Sequence, residues 1–301
     1  MPKNKNRIQE GSMAVDAALI ILMAITAFLT LYPLYYVLIL SLSEPQQAAT
    51  MRVYWLPKGL YLGSYEKIVL DPKLWRSYLN TILYAAAESA GMLCICSMAA
   101  YALSSKRLKG RKVFNIYLLI PMYFSGGIIP LFLLIIKMGL YNTPWAIIIP
   151  GCFSIWYTIL IKSYFGSLPE SLREAAMVDG ANCYQTFLKI YLPVAKPILA
   201  VVALYTLIGV WNEWFKSSIF LTDQRLQPLQ LYLRRILVEQ TVDLSQEFAS
   251  QEQLQADMER RLSSNQIKYS IIILSSLPMI CIYPFFQKYF VKGVMLGSLK
   301  E

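Results

Sequence analysis

Apolar residues in this chain gather into six long runs, 17–42, 78–103, 113–136, 145–165, 198–221 and 269–290, separated by polar stretches. Each run can cross a hydrocarbon layer roughly 30 Å thick, which takes about 20 apolar residues in a helix. Backbone groups in lipid must be paired within the spanning element, so uninterrupted runs predict helices rather than barrel strands. The pattern predicts an all-α polytopic membrane protein with six transmembrane helices. The third run carries Pro121, Gly126, Gly127 and Pro130. These should kink or unwind it, either as simple irregularity or as a broken helix beside a transport path. The polar stretches divide the chain into a tail at 1–16, a membrane domain at 17–290 and a second tail at 291–301. Within the membrane domain, 170–193 and 222–268 are the two long polar segments after the fourth run.

Composition supports the membrane reading: 56% of the 301 residues are hydrophobic, and the mean hydropathy of +0.46 exceeds what soluble domains carry. The first run follows Lys3, Lys5 and Arg7, as a signal peptide would. It is too long for such a segment, and Pro33, Tyr35 and Tyr36 are poor cleavage context, so it reads as a retained span. Lys106, Arg107, Lys109, Arg111 and Lys112 crowd the short link between the second and third runs, which places that link in the cytoplasm. With six spans, both termini and 170–193 then lie inside, and 43–77 and 222–268 lie outside. The net charge of +10 follows from this topology and from contact with anionic lipid, not from nucleic-acid binding. Lys162 is expected to snorkel to the inner interface.

Chemistry is sparse. Histidine is absent, which removes the usual general base and the commonest metal ligand. No GxxxxGK[ST] run is present to bind ATP. Cys94, Cys96, Cys152, Cys183 and Cys281 form no CxxC pair and are expected as free thiols, without disulfide or metal. Energy must come from a partner or an ion gradient.

The stretch 170–193 contains Glu174-Ala175-Ala176, then three residues, Gly180, nine residues, Ile190, one residue, and Leu192-Pro193. Pro169 and Glu170 suit the start of a short helix. Gly180 suits a bend. A second short helix is expected from about 182 and should stop before Pro193, because the residue preceding a proline avoids the helical region. Leu172, Ala175, Ala176 and Met177 offer a small apolar patch on the first helix that calls for a partner groove. In the outer segment, Leu244, Phe248, Leu254, Met258 and Leu262 recur at near-helical spacing. That helix would pack on the outer mouth or meet an external partner.

The spacing in 170–193 fits the EAA loop of binding-protein-dependent ABC importer permeases. Ser125-Gly126-Gly127-Ile128-Ile129-Pro130, the segment from Gly209 to Phe215, and the segment from Pro284 to Gly293 also resemble MalG-type carbohydrate permeases. Within that group, the chain resembles the Gram-positive branch associated with oligosaccharides and aldouronates, over about residues 15–300. The resemblance implies the ABC type I importer permease fold with cytoplasmic EAA coupling helices, in a bacterial plasma membrane. It implies a second MalG/MalF-like permease subunit and a cytoplasmic ABC ATPase dimer that carries the ATP and Mg, so this chain itself binds no cofactor. It also implies an extracellular solute-binding lipoprotein that delivers carbohydrate. Leu172, Glu174, Ala175, Ala176, Asp179 and Gly180 are carried over as ATPase-coupling positions, and the tail 292–300 as a further ATPase contact.

For the substrate path, the charged and aromatic residues inside the runs are the candidates: Glu88, Trp211, Asn212, Glu213 and Trp214. A carboxylate in lipid needs a partner or a polar cavity. Glu213 could bind sugar hydroxyls, or hold a structural hydrogen bond or a local pair with Lys216. Glu88 could line the path or contact the sister permease. Trp211 and Trp214 could stack on sugar rings or anchor at the interface. A secondary transporter is the alternative function, but no internal repeat or charge relay is visible. An intramembrane enzyme would need a nucleophile with a base, or a metal set, and neither is evident.

Overall fold

The computed structural model describes residues 13–50, 53–242, 265–282 and 284–285. Besides short helices at Pro45–Ala49 and Gly63–Val69, the helices are α1 (Met13–Leu42), α2 (Pro72–Ser104), α3 (Arg111–Tyr123), α4 (Ile128–Lys137), α5 (Trp145–Gly151), α6 (Ile155–Ser167) and α7 (Glu170–Val178). They continue with α8 (Cys183–Val194), α9 (Lys196–Trp211), α10 (Phe215–Phe220), α11 (Leu229–Val242) and α12 (Asn265–Ile282). Among the described residues, four stretches are long and apolar enough to cross a membrane: α1, α2, Trp145–Ser167 and α12. The pairs α3/α4 and α8/α9 raise this to six if each pair is one span. The candidate helix at 244–262 and the tail at 292–300 lie outside the described residues.

The chain divides into two compact units, Met1–Leu70 with Val242–Leu274 and Asp71–Thr241 with Ser275–Glu301. In the first, α1 is apolar on every side and exposed along most of its length, as suits a helix against lipid or another subunit. Pro33 sits inside it without ending it. Its last carbonyls would lack partners. The Gln266 side-chain amide helps meet that need: its two N–H donors are shared among the carbonyls of Leu40, Ser41 and Ser43, at 2.8, 2.8 and 2.7 Å. Ile39, Leu40, Ala48 and Val53 form a small core beside it.

In the second unit, α2 is the common wall. Its 33 residues run about 50 Å at 1.5 Å each. Asp71 starts it by accepting from the Lys73 N–H at 2.9 Å. Tyr84 and Ala85 belong to one core, with Ile135, Ile147 and Phe220. Met92, Cys96 and Ala100, spaced four apart on one face, belong to another, with Ile161, Phe165 and Val202. All five cysteines are free. The Lys162 ammonium donates to the Asn115 side-chain oxygen on α3.

The expected third span is not a straight helix. α3 and α4 meet at 108°, and at 13 and 10 residues neither half alone spans roughly 30 Å. Gly127 makes the turn at φ 79°, ψ −176°, a region essentially closed to side chains. The predicted fourth run is interrupted at 152–154, where the Ser154 hydroxyl accepts from the Tyr157 N–H at 3.4 Å and starts α6.

Gly127 and Gly126 should therefore respond differently to alanine. Neither has a neighbour that a methyl would clash with, and only Gly127 has positive φ. Gly127→Ala should lower stability by about 1–3 kcal/mol, and Gly126→Ala by less than about 0.5 kcal/mol. Thermal unfolding of the purified transporter separates the two; equal losses would mean that the backbone angle is not the reason for the glycine.

Candidate functional site

The stretch 170–193 folds as two helices joined by a tight turn. Pro169 precedes α7, and Glu170 supplies the acid in its first turn. The helix closes with a Schellman turn: Ala181 N–H donates to the Ala176 carbonyl at 2.9 Å and Gly180 N–H to Met177 at 3.1 Å, with Gly180 at φ 76°. No atom lies within 4 Å of a Cβ placed on Gly180, so the backbone angle, not crowding within the chain, calls for glycine. Asn182 then opens α8 through a reciprocal pair, its side chain accepting from Gln185 N–H at 2.8 Å while Gln185 accepts from Asn182 N–H at 2.9 Å. The Asn-x-x-Gln spacing was a readable signal for this cap.

The second helix does not stop before Pro193. It continues to Val194, with a π-helical turn over Phe187–Tyr191. A proline removes one N–H and crowds the carbonyl four residues back. Widening the preceding turn relieves that crowding, which lets the helix pass through. α8 then meets α9 at 77°.

The two limbs have different surroundings. Phe187 and Tyr191 of α8 are buried against Phe165, with Tyr101 packed on both at ring distances of 5.1 and 4.9 Å. The Tyr101 hydroxyl also donates to the Cys183 carbonyl at 3.2 Å. α7 is tied to the basic link: Arg173 donates to the Ser105 hydroxyl at 2.8 Å, and Lys106 to Glu170 at 2.7 Å. The hydrogen bond and charge of Lys106 hold the Glu170 carboxyl below its ordinary range. Both partners are exposed, so this tether orients more than it stabilises.

The apolar patch differs from the one expected. Ala176 turns inward and is 3% exposed. Leu172, Ala175 and Met177 face out, and Val178, which the sequence reading omitted, is the most open at 87%. Tyr184 on α8 is exposed as well. Glu174, Asp179 and Gly180 are exposed.

The other candidates cluster where the expected fifth span ends early. α9 stops at Trp211, and α10 begins at Phe215 rather than continuing to 221. The polar residues between them serve the broken ends. Asn212 turns its amide back to the Ile208 carbonyl at 2.9 Å, and Glu213 accepts from the Lys216 N–H at 2.7 Å. Trp211 is buried at 5%; its indole donates to the Ser275 carbonyl at 3.2 Å and its ring leans on Tyr78. It has no open face for a sugar. Trp214 lies under the Arg234 guanidinium of α11, 3.4 Å from its centroid. α11 is pinned further by Tyr232, which donates to Asp71 at 2.6 Å. Burial and then that bond push the Tyr232 hydroxyl above its ordinary range.

Glu88 and Glu213, far apart in sequence, line one cavity of about 220 Å³ together with Lys216, Tyr157, Tyr205 and Thr206. Trp211, Asn212 and Trp214 do not line it. Gly151 makes room for Glu88: a Cβ there would lie 2.1 Å from the carboxyl carbon. Tyr205, Gly209 and Glu213 fall four apart, so helical spacing carried a signal for Tyr205. Tyr157 comes from another helix and had no such signal.

The chain is similar to known proteins over nearly its whole length. It is 32% identical over 273 residues to Protein LplC of Bacillus subtilis, covering 90% of each chain. It is 29% identical to the polygalacturonan/rhamnogalacturonan transport system permease protein YtcP of Bacillus subtilis, covering 91% of this chain and 94% of that one. Among solved structures, it is similar to a bacterial ABC transporter involved in the import of the acidic polysaccharide alginate. That chain is 34% identical, with a TM-score of 0.82, and the match covers 92% of this chain and 97% of that one. Residues 10–296 match the binding-protein-dependent transport system inner membrane component, and the chain belongs to that family.

Proposed function

We propose that this chain is a membrane-spanning permease subunit of an ABC importer for carbohydrate, with an oligosaccharide as its solute. The observation that carries the reading is the shape of 170–193. One limb is rooted in the membrane domain through Phe187 and Tyr191, and the other presents Val178 on an open tip. An apolar side chain held so far from the protein's own core needs a partner surface. A cytoplasmic ATPase dimer provides it, and Leu172, Glu174, Ala175, Asp179 and Gly180 form the contact around Val178. Ala176 acts from behind, letting α7 lie close to the chain. A second permease subunit completes the pore, and an extracellular binding protein delivers the sugar. Both termini and the tip lie in the cytoplasm of a bacterium, and 222–242 lies outside. Hydrolysis belongs to the ATPase; this subunit is non-catalytic. Glu88 and Glu213 line the solute path, while Asn212, Trp211 and Trp214 shape the helix break beside it.

Topology is checked with a single thiol. Gly180→Cys in an otherwise cysteine-free chain should react with a membrane-impermeant maleimide in inverted vesicles and not in intact cells; the opposite result reverses the orientation.

Docking is checked at Val178. Its exposure means that Val178→Asp should leave the subunit folded. Loss of about 1–3 kcal/mol of apolar contact should weaken ATPase retention by about tenfold or more. Gly180→Val should act through backbone strain at positive φ and reduce uptake with membrane abundance unchanged. Full ATPase retention and full sugar uptake in both variants would remove this loop from the coupling pathway.

A further inference from the structure

Three charged side chains line the cavity between α2, α9 and α10: Glu88, Glu213 and Lys216. No ion pair joins Lys216 to either carboxylate, and Glu88 makes no hydrogen bond, among the described residues. Glu213 uses one oxygen to cap α10, which leaves the other for a ligand. With all three groups ionised, two carboxylates against one ammonium give the cavity a formal charge of −1. Charged groups held apart in a confined space need polar partners. Ring hydroxyls fit: they donate to carboxylates and accept from an ammonium. At about 220 Å³, the cavity is below the roughly 300–1,000 Å³ of sites for drug-sized ligands and suits a single sugar ring rather than a chain of them. Tyr157 and Tyr205 add aromatic surface for the ring's C–H face.

Resting on the importer reading above, we propose that this cavity holds one neutral sugar ring of the passing oligosaccharide, with Glu88 accepting from its hydroxyls, and disfavours uronates. A uronate carboxylate there would face two carboxylates and one ammonium, so like-charge repulsion opposes it. The solute thereby differs in charge from the acidic polysaccharide named for the solved relative.

The test uses the whole transporter, with partner permease and ATPase, in lipid nanodiscs. Gly209→Cys in a cysteine-free chain places one thiol at the cavity wall, where no atom lies within 4 Å of a new Cβ. A trimethylammonium methanethiosulfonate should label it about tenfold faster than the sulfonate reagent, after correction for their rates with a free thiol. Glu88→Lys should reverse that preference. Maltotriose, xylotriose or raffinose should slow labelling, and trigalacturonate should not. Glu88→Gln should lower uptake of the neutral sugar about tenfold, as expected for losing one charged hydrogen bond, with unchanged membrane abundance and ATPase retention. Equal labelling by the two reagents, protection by trigalacturonate as strong as by neutral sugars, or unchanged uptake in Glu88→Gln overturns the proposal. A wild-type transporter that takes up no carbohydrate at all overturns the importer reading instead, and the reagent preference still reports the charge of the cavity.

Discussion

An amide or carbonyl without a partner in lipid costs several kcal/mol, and this constraint decides where the helices of this chain can break. At the α3/α4 turn, the Ser125 hydroxyl accepts from Gly127 N–H at 3.2 Å. At the α5/α6 interruption, Ser154 caps α6 and the Thr158 hydroxyl returns to the Ser154 carbonyl at 2.8 Å. Between α9 and α10, Asn212 serves the last turn of one helix and Glu213 the first turn of the next. The polar residues at these three breaks are thus accounted for by the backbone ends they serve. Glu88 lies mid-helix instead and faces a cavity without capping anything.

α2 connects the chemistry at the two ends of its unit. Its last residue is followed by Ser105, which Arg173 of α7 holds, and its first is preceded by Asp71, which Tyr232 of α11 holds. Gly91 lets the middle of α2 close on Cys152; a Cβ there would lie 2.3 Å from the sulfur. A continuous helix packed this closely moves as one piece. The α7/α8 loop and α11 therefore rest on opposite ends of one rigid element.

Much of this was legible in the sequence, for stated reasons. Apolar runs of bilayer length announce spans whatever their neighbours do, and the Pro121-to-Pro130 stretch announced the break in the third. The EAA spacing placed α7, Gly180 and the start of α8. The end of α9 was not legible, because the break at 212–214 carries no proline or glycine to mark it. Pro193 misled because its rule concerns an ordinary α-helical turn, and the chain uses a wider one. The patch on α7 was misjudged at Ala176 and Val178, since which side faces inward depends on Arg173 and Ser105 meeting across 68 residues. The cavity could not be assembled from spacing alone: Glu88, Tyr157 and Glu213 converge only through packing of separate helices.

The Gln266 clasp on α1 has a consequence for how the protein is made. The carbonyls it serves are 226, 225 and 223 residues earlier in the chain. At about 5–20 residues per second, translation leaves an interval of roughly 10–45 s between the emergence of α1 and that of its cap. During that time, apart from the Ser43 N–H that reaches the Leu40 carbonyl at 3.2 Å, only water can pair with those oxygens, so the end of α1 must rest in the hydrated headgroup layer. A shift of that end by one turn toward the bilayer centre would leave the nascent first helix with unpaired carbonyls, long before the rest of the protein exists to correct it.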